Sequence, residues 1–397
     1  MKLSGVTFYN IISPQAYMRF KELLLLFLLF ACYSSTYAQL SEEATISVLT
    51  VRQGSDVDNV FGHTAVRVVD PATRKSEIYN FGIFDFEEPG FLMKFLRGKL
   101  LYNLDINSEI GFINTYDRAK RTILEQKLNL QQEQKNKIYV SLRENYKPQN
   151  RRYLYYFFFD NCSTRPRDLL YNNIPELKET KTEIPTKTFR DLIDENVFSS
   201  PWMDFGIDLI IGKKADKIAS VQDQMYLPEY FYKKLNDLNN GDVPLVSSAE
   251  VILDFEKEAK ERKKVPWCSP TLVIGFLLLF ELFLFIKFRN KVPTKSLNFY
   301  DKFWYVLTSI SSVAILFMWF GTDHIATKDN LNVLWLNPIF FLLIFGRLRW
   351  VQILTAFFLI VAIVVGITIQ KFHIASILII CILLLKLTRH LSHQSAT

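Results

Sequence analysis

The run Tyr153-Leu-Tyr-Tyr-Phe-Phe-Phe-Asp160-Asn161-Cys162-Ser-Thr-Arg165-Pro166-Arg167-Asp-Leu-Leu170 decides how the chain is read. Seven apolar or aromatic residues lead into Asp160, Asn161 and Cys162, and a helix-like segment follows. That order predicts a buried strand whose last side chains stand at a helix N-terminus. Backbone N–H groups and the helix dipole favour negative charge there, so a thiol tends toward thiolate. Pro166 suits the first turn of such a helix, where its missing N–H is no loss. Arg165 and Arg167 add positive field. These features make Cys162 the candidate nucleophile and Asn161 a candidate side-chain donor beside it.

The chain has 397 residues, a formal net charge of +7 and four cysteines. Cys32 falls in an N-terminal leader, Cys268 at the edge of the apolar C-terminal region and Cys381 inside an apolar block. Cys162 is therefore the lone thiol of the mixed-composition region, and no disulfide framework is expected. No zinc-type Cys/His spacing and no phosphate-binding glycine loop is present, so neither metal nor cofactor is expected. Many Lys and Arg residues flank apolar blocks, which accounts for the basic balance without nucleic acid.

Arg19 and Lys21, the apolar run Leu23–Ala31 and then Thr36-Tyr37-Ala38 have the form of a secretory signal peptide over residues 1–38, with Met18 as an alternative start. Residues 39–265 are then an exported domain, and residues 266–397 a membrane domain. Five apolar blocks are expected to span: Thr271–Phe288, Phe303–Phe320, Leu334–Phe345, Val351–Ile369 and Ile374–Leu387. Basic clusters follow blocks one, three and five, at Lys287–Lys291, Arg347–Arg349 and Lys386–Arg389. An exported domain and an odd number of spans put all three on the cytoplasmic side, together with the C-terminus, as the positive-inside rule requires. Glu281 in the first block is costly in lipid and is expected to face the bundle.

Within the exported domain, Ala44–Arg52 reads as a strand, and Phe61–Val69 with Glu77–Phe86 as a hairpin around Asp70-Pro71. Phe91–Lys99 reads as a short helix, Leu100–Asn107 as a strand and Asn114–Asn145 as one or two solvated helices. Five histidines are present, and His63 is the one in this domain. A solitary strand histidine is ordinarily structural; together with the solitary thiol it becomes the candidate base. A third residue should orient its ring by accepting from the other nitrogen. The alternation of the hairpin makes Asn80 the first choice and Asp85 the second.

Four stretches carry a resemblance: Phe61-Gly-His-Thr-Ala-Val-Arg67, Tyr79-Asn-Phe-Gly82, Asp160-Asn-Cys-Ser-Thr-Arg165 and Thr322–Pro338. With histidine ahead of cysteine, the exported domain resembles the circularly permuted papain-like (NlpC/P60-type) fold. The whole mature chain resembles the Lnb family of bacterial lipoprotein N-acyltransferases. The resemblance implies an α+β permuted papain-like domain followed by an all-α membrane domain of five transmembrane helices, lodged in the bacterial inner membrane with the catalytic domain in the periplasm. It also implies Cys162 as the acyl-accepting nucleophile and His63 as its base.

The chemistry expected of such a site is acyl transfer in two steps. The thiolate takes a fatty acyl chain from a membrane phospholipid as a thioester, with backbone N–H groups at the helix start holding the oxyanion. The acyl group then passes to the α-amine of a diacylglyceryl cysteine on an apolipoprotein, with His63 accepting the proton. Arg165 and the outer-loop residues His324, Asn330, Asn332 and Trp335 are candidate substrate contacts; an interfacial loop with an aromatic belt residue is the equal alternative for the loop. Competing readings are a peptidoglycan cysteine peptidase or amidase, a membrane lipid acyl hydrolase and a non-enzymatic scaffold.

Overall fold

The computed structural model describes residues 39–54, 56, 59–262, 267–288, 291, 294–346 and 348–394. The expected leader 1–38 and the expected domain boundary at 265–266 lie outside the described residues.

The first domain is organised by a mixed-composition antiparallel sheet. Its strands are β1 (Thr45–Val51), β2 (His63–Asp70), β3 (Lys75–Ile83), β4 (Leu101–Ser108), β5 (Ile123–Leu128) and β6 (Arg152–Leu154). Past these, β7 (Leu177–Glu179), β8 (Leu238–Asn240) and β9 (Val243–Pro244) form a small separate sheet, and β10 (Val246–Leu253) returns to the large one. The seven-stranded order is β10-β5-β1-β2-β3-β4-β6. The β2–β3 hairpin turns where predicted: Asp70 caps a 3-10 turn over Pro71–Thr73 by accepting from Ala72 N at 3.1 Å.

Helices cover the sheet and extend it. They are α1 (Phe91–Leu96), α2 (Glu109–Arg118), α3 (Gln132–Asn145), α4 (Thr164–Asn173), α5 (Phe189–Val197), α6 (Pro201–Ile210) and α7 (Pro228–Asn236). Phe112 and Tyr116 of α2 close over Leu49, Val51, Ala65, Ile78 and Ile123. A second apolar cluster joins Phe158, Phe189, Leu192 and Tyr226.

Two expectations change here. The stretch expected to be helical, 114–145, contains β5, an interior strand of the sheet between β10 and β1. Glu125 and Gln126 are 3% and 0% exposed, which is tolerable because Ser47 Oγ and Arg67 bond Glu125 and because Gln126 donates to Tyr232 O at 3.0 Å. The aromatic run before Cys162 is not a long strand either. After β6, Tyr156 and Asp160 form an isolated bridge around a tight turn, and Phe157 and Phe158 pack into the second cluster.

Four helices of the C-terminal part are long and apolar enough to cross a membrane: α8 (Pro270–Phe288), α9 (Lys295–Phe320), α11 (Arg349–Thr368) and residues Ile374–Leu391 of α12 (Ile374–Gln394). Between them, a 3-10 turn, Leu331–Leu334, leads into the third apolar block, which forms only a six-residue helix, α10 (Phe340–Phe345). A helix that short spans about 9 Å, well under a hydrocarbon core of about 30 Å. Pro338 interrupts the block, and Asn337 Oδ1 takes the N–H of Ile339 at 3.1 Å. Glu281 is fully buried in the bundle, as expected, with Lys386 Nζ at 2.7 Å.

The loop from Thr322 to Pro338 is built into the first domain. Asn330 donates to Leu209 O and Ile210 O at 2.8 and 2.9 Å. Asn332 donates to Asp208 O at 3.1 Å and accepts from Trp335 Nε1 at 2.8 Å. After α11, Gln370 donates to Ile211 O at 3.3 Å, and Lys371 pairs with Asp191 and Asp194 at 2.9 and 3.0 Å. Amides that would be orphaned in a loose loop are thus matched to the carbonyl end of α6.

Candidate active site

Cys162 lies two residues ahead of α4, and its neighbourhood is drawn tight by Asn161. The Asn161 side-chain oxygen accepts from Ser163 N and Thr164 N, both at 2.8 Å, capping the helix. Its amide nitrogen donates to Phe157 O and Tyr226 O, also at 2.8 Å. Both ends of the amide are spent on backbone, so Asn161 shapes the turn rather than offering the free donor expected of it. Arg165 is likewise engaged: it forms a two-pronged pair with Asp160 at 2.6 and 2.9 Å and covers the Tyr153 ring at 3.3 Å.

Three groups from other elements converge on the sulfur. The N–H of Thr64, at the start of β2, bonds it. Tyr155 Oη stands 3.9 Å away. Gly82 of β3 faces it with φ +88°, where a Cβ would come within 3.2 Å of the Tyr155 ring and 3.4 Å of Cys162 Cβ. A side chain there would be strained and would press on both, which is why glycine is needed.

His63 precedes Thr64, so its backbone lies directly beside the sulfur. Among the described residues its ring makes no hydrogen bond to Sγ; the link runs through Thr64. Such pairs are often loose without substrate. The Nε2 side is anchored: Asn80 Oδ1 lies at 2.6 Å. Asn80 Nδ2 is already donated to Asn107 Oδ1 at 2.9 Å, so only its oxygen can face the ring. The proton therefore sits on Nε2 and the lone pair on Nδ1. Asp85 is elsewhere, exposed in the turn after β3 and accepting from Glu87 N at 2.8 Å.

The electrostatics reverse one expectation. Burial pushes the Cys162 thiol up, and the Thr64 N–H, the Tyr155 hydroxyl and the Arg121 charge only partly oppose it. Burial also pushes His63 down to about 4, with Arg121 adding to the effect against the Asn80 bond. The resting pair at neutral pH is thiol and neutral imidazole, not thiolate and imidazolium. Arg121, itself buried, lies 5.1 Å over the Tyr116 ring, which stacks on His63 at 6.4 Å between centroids.

Thr64, Tyr155, Asn107, Tyr116 and Arg121 were not singled out from sequence; each is an ordinary residue of a strand, turn or helix until pairing brings it to the sulfur. The outer-loop candidates lie apart from this group. Asn330, Asn332 and Trp335 are 0, 1 and 2% exposed in the joint with α6. His324 Nε2 bonds Phe95 O at 3.0 Å. Carboxylates of Asp194, Asp204 and Asp208 gather beside that joint, but Lys371 pairs with Asp194 and Arg190 with Asp208, so the group is already countercharged.

The model of the Lnb N-terminal periplasmic domain matches residues 35–195, and that of the Lnb transmembrane domain matches residues 260–396. No curated protein and no solved structure matches the chain.

Proposed function

The chain belongs to the Lnb family, with a periplasmic N-terminal domain and a membrane-spanning domain, and from that membership we infer that it is an enzyme of lipoprotein maturation. From it and the geometry above we propose a thiol-dependent N-acyltransferase on a permuted papain-like domain. It moves a fatty acyl chain from a phospholipid, through a Cys162 thioester, to the α-amine of the diacylglyceryl cysteine of an apolipoprotein. What supports this is the relay Asn107–Asn80–His63: it occupies Nε2 and leaves Nδ1 as the free lone pair of a neutral imidazole, on the residue next to Thr64, whose N–H bonds the sulfur.

His63 Nδ1 takes the thiol proton as sulfur attacks the ester carbonyl. With Ser163 and Thr164 N–H groups committed to Asn161, the N–H of Cys162 and the Tyr155 hydroxyl are the donors for the oxyanion. Collapse breaks the ester C–O bond, and the departing lysophospholipid oxygen receives the proton from His63. The acceptor amine then attacks the thioester, its proton passes through His63 to sulfur, and an amide and the free thiol result.

The membrane domain crosses five times in this reading. The loops 322–338 and 369–373 both meet the first domain, whereas Gly346 shares a cavity with Asn298, Asp301 and His390 near the far ends of α9 and α12. The segment holding α10 therefore traverses the bundle, though not as a long helix, and the C-terminus faces the cytoplasm.

Mass spectrometry tests the assignment. Purified protein in phospholipid nanodiscs should gain one acyl mass at Cys162, and cells carrying only Cys162→Ala should keep lipoproteins with free N-termini. Lipoprotein N-termini that remain acylated in that strain would remove the acyl-transfer role.

A further inference from the structure

Helix α1, Phe91-Leu-Met-Lys-Phe-Leu96, buries none of its residues. Leu92, Met93, Phe95 and Leu96 are 66, 57, 45 and 38% exposed, and Phe86 beside them is 70% exposed. A six-residue helix with five apolar residues, none of them buried, is not a water-facing element. Its position explains the composition. Asp323 N donates to Arg97 O at 2.9 Å and His324 Nε2 bonds Phe95 O at 3.0 Å, so the helix is tied to the loop that leaves membrane helix α9 at Phe320. Gly98, at φ +66°, permits this approach; a Cβ there would lie 3.1 Å from His324 N. Lys94, Arg97 and Lys99 lie around the helix, Lys94 paired with Glu88 at 2.6 Å and Lys99 with Asp323 at 3.7 Å.

From this helix an unbroken column of rings leads to the nucleophile. Phe95 stacks on Phe91 at 6.0 Å, and Phe91 on Phe84 at 5.8 Å. Phe84 meets Tyr102 at 5.2 Å, and Tyr102 stacks on Tyr155 at 4.5 Å. Tyr155 Oη is the group 3.9 Å from Cys162 Sγ. The column is phenylalanine at the α1 end and tyrosine, Tyr102 and then Tyr155, toward the sulfur.

We propose that α1 is immersed in the outer leaflet and that the ring column from Phe95 to Tyr155 is the track along which a phospholipid acyl chain is drawn to Cys162. The inference rests on the acyl-transfer reading and adds where and how the lipid enters. The occupant is lipid because the helix adjoins the membrane domain and the column ends at the proposed acyl acceptor. Chain methylenes gain contact with the rings one after another, so the track should favour long chains over short ones.

Two measurements on the full chain in phosphatidylethanolamine nanodiscs test this. With p-benzoylphenylalanine at Leu92, ultraviolet light should cross-link the protein to phospholipid; cross-links to protein alone would overturn immersion. In F91Q/F95Q, the ratio of Cys162 acylation rates from dioleoyl and dibutyryl phospholipid should fall on the order of tenfold. An unchanged ratio, with the wild type acylating normally, would overturn the track. Cross-linking to phospholipid by the position-92 variant, together with a wild type that never acylates Cys162, would overturn the acyl-transfer reading and the track with it, while leaving the membrane contact standing.

Discussion

At His63 the protonation state is set by an amide on another strand. Asn107 holds the nitrogen of Asn80, Asn80 offers its oxygen to Nε2, and Nδ1 is left as the base. Burial draws this histidine down to about 4 while raising the thiol, so no ion pair forms at rest. Cys162 should therefore alkylate slowly at neutral pH. Iodoacetamide labelling read by mass spectrometry should keep rising beyond the ordinary thiol range near pH 8.5, without a plateau at about pH 6–7. A plateau there would mean a standing thiolate. The same histidine makes stability depend on pH. Its folded value lies below its unfolded value of about 6.5, so the unfolded chain takes up the proton first. The contribution is fully present above that value and is lost as pH falls from about 6.5 toward 4. His63→Gln should flatten that part of a melting-temperature profile. From sequence, His63 and Cys162 stood out because each was solitary in its domain. Tyr155 did not, since one aromatic in a run of aromatics carries no mark until the chain turns it onto the sulfur.

At the scale of elements, the turn ahead of α4 shows how local and distant forces divide. The helix start was readable from Pro166 and the polar residues before it. The long strand expected before it was not formed, because Phe157 and Phe158 find partners in Phe189 and Tyr226 rather than across a ladder. Asn161 binds this turn to both α4 and the 225–226 segment. Asn161→Ala should cost roughly 1–2 kcal/mol in folding as a lost cap. It should cost Cys162 acylation more than that loss of folding explains, at a temperature where the variant remains folded; equal losses in both would reduce Asn161 to a cap. Strand β5 was hidden because Glu, Gln and Lys favour helices in isolation. Pairing on both edges, with Arg67 and Ser47 at Glu125, overrides that preference.

Over the whole molecule, the two domains meet through amides at one end of the bundle, and the other end is closed by buried charge. Glu281 and Asp301 are matched there by Lys386 and Arg389, all at most 2% exposed, with His390 Nε2 at 2.9 Å from Asp301. Lys386→Met strands a carboxylate in a low-dielectric bundle and should destabilise by roughly 3–5 kcal/mol, whereas adding Glu281→Gln should recover a substantial part. Thermal unfolding in detergent reads both; equal midpoints for the single and double variants would deny the coupling. The sequence by itself determined the order of parts: the hairpin, the solitary thiol before a helix, the apolar blocks and an inward-facing Glu281. Alternation, turn residues and hydropathy act over a few positions and survive in the bare string. Only the tertiary structure decided that β5 is a strand paired on both edges, that Asn330 and Asn332 belong to a joint, and that a column of rings links Cys162 to α1. Those outcomes depend on which backbone groups and rings, far apart in the chain, are left to satisfy one another once the sheet has closed.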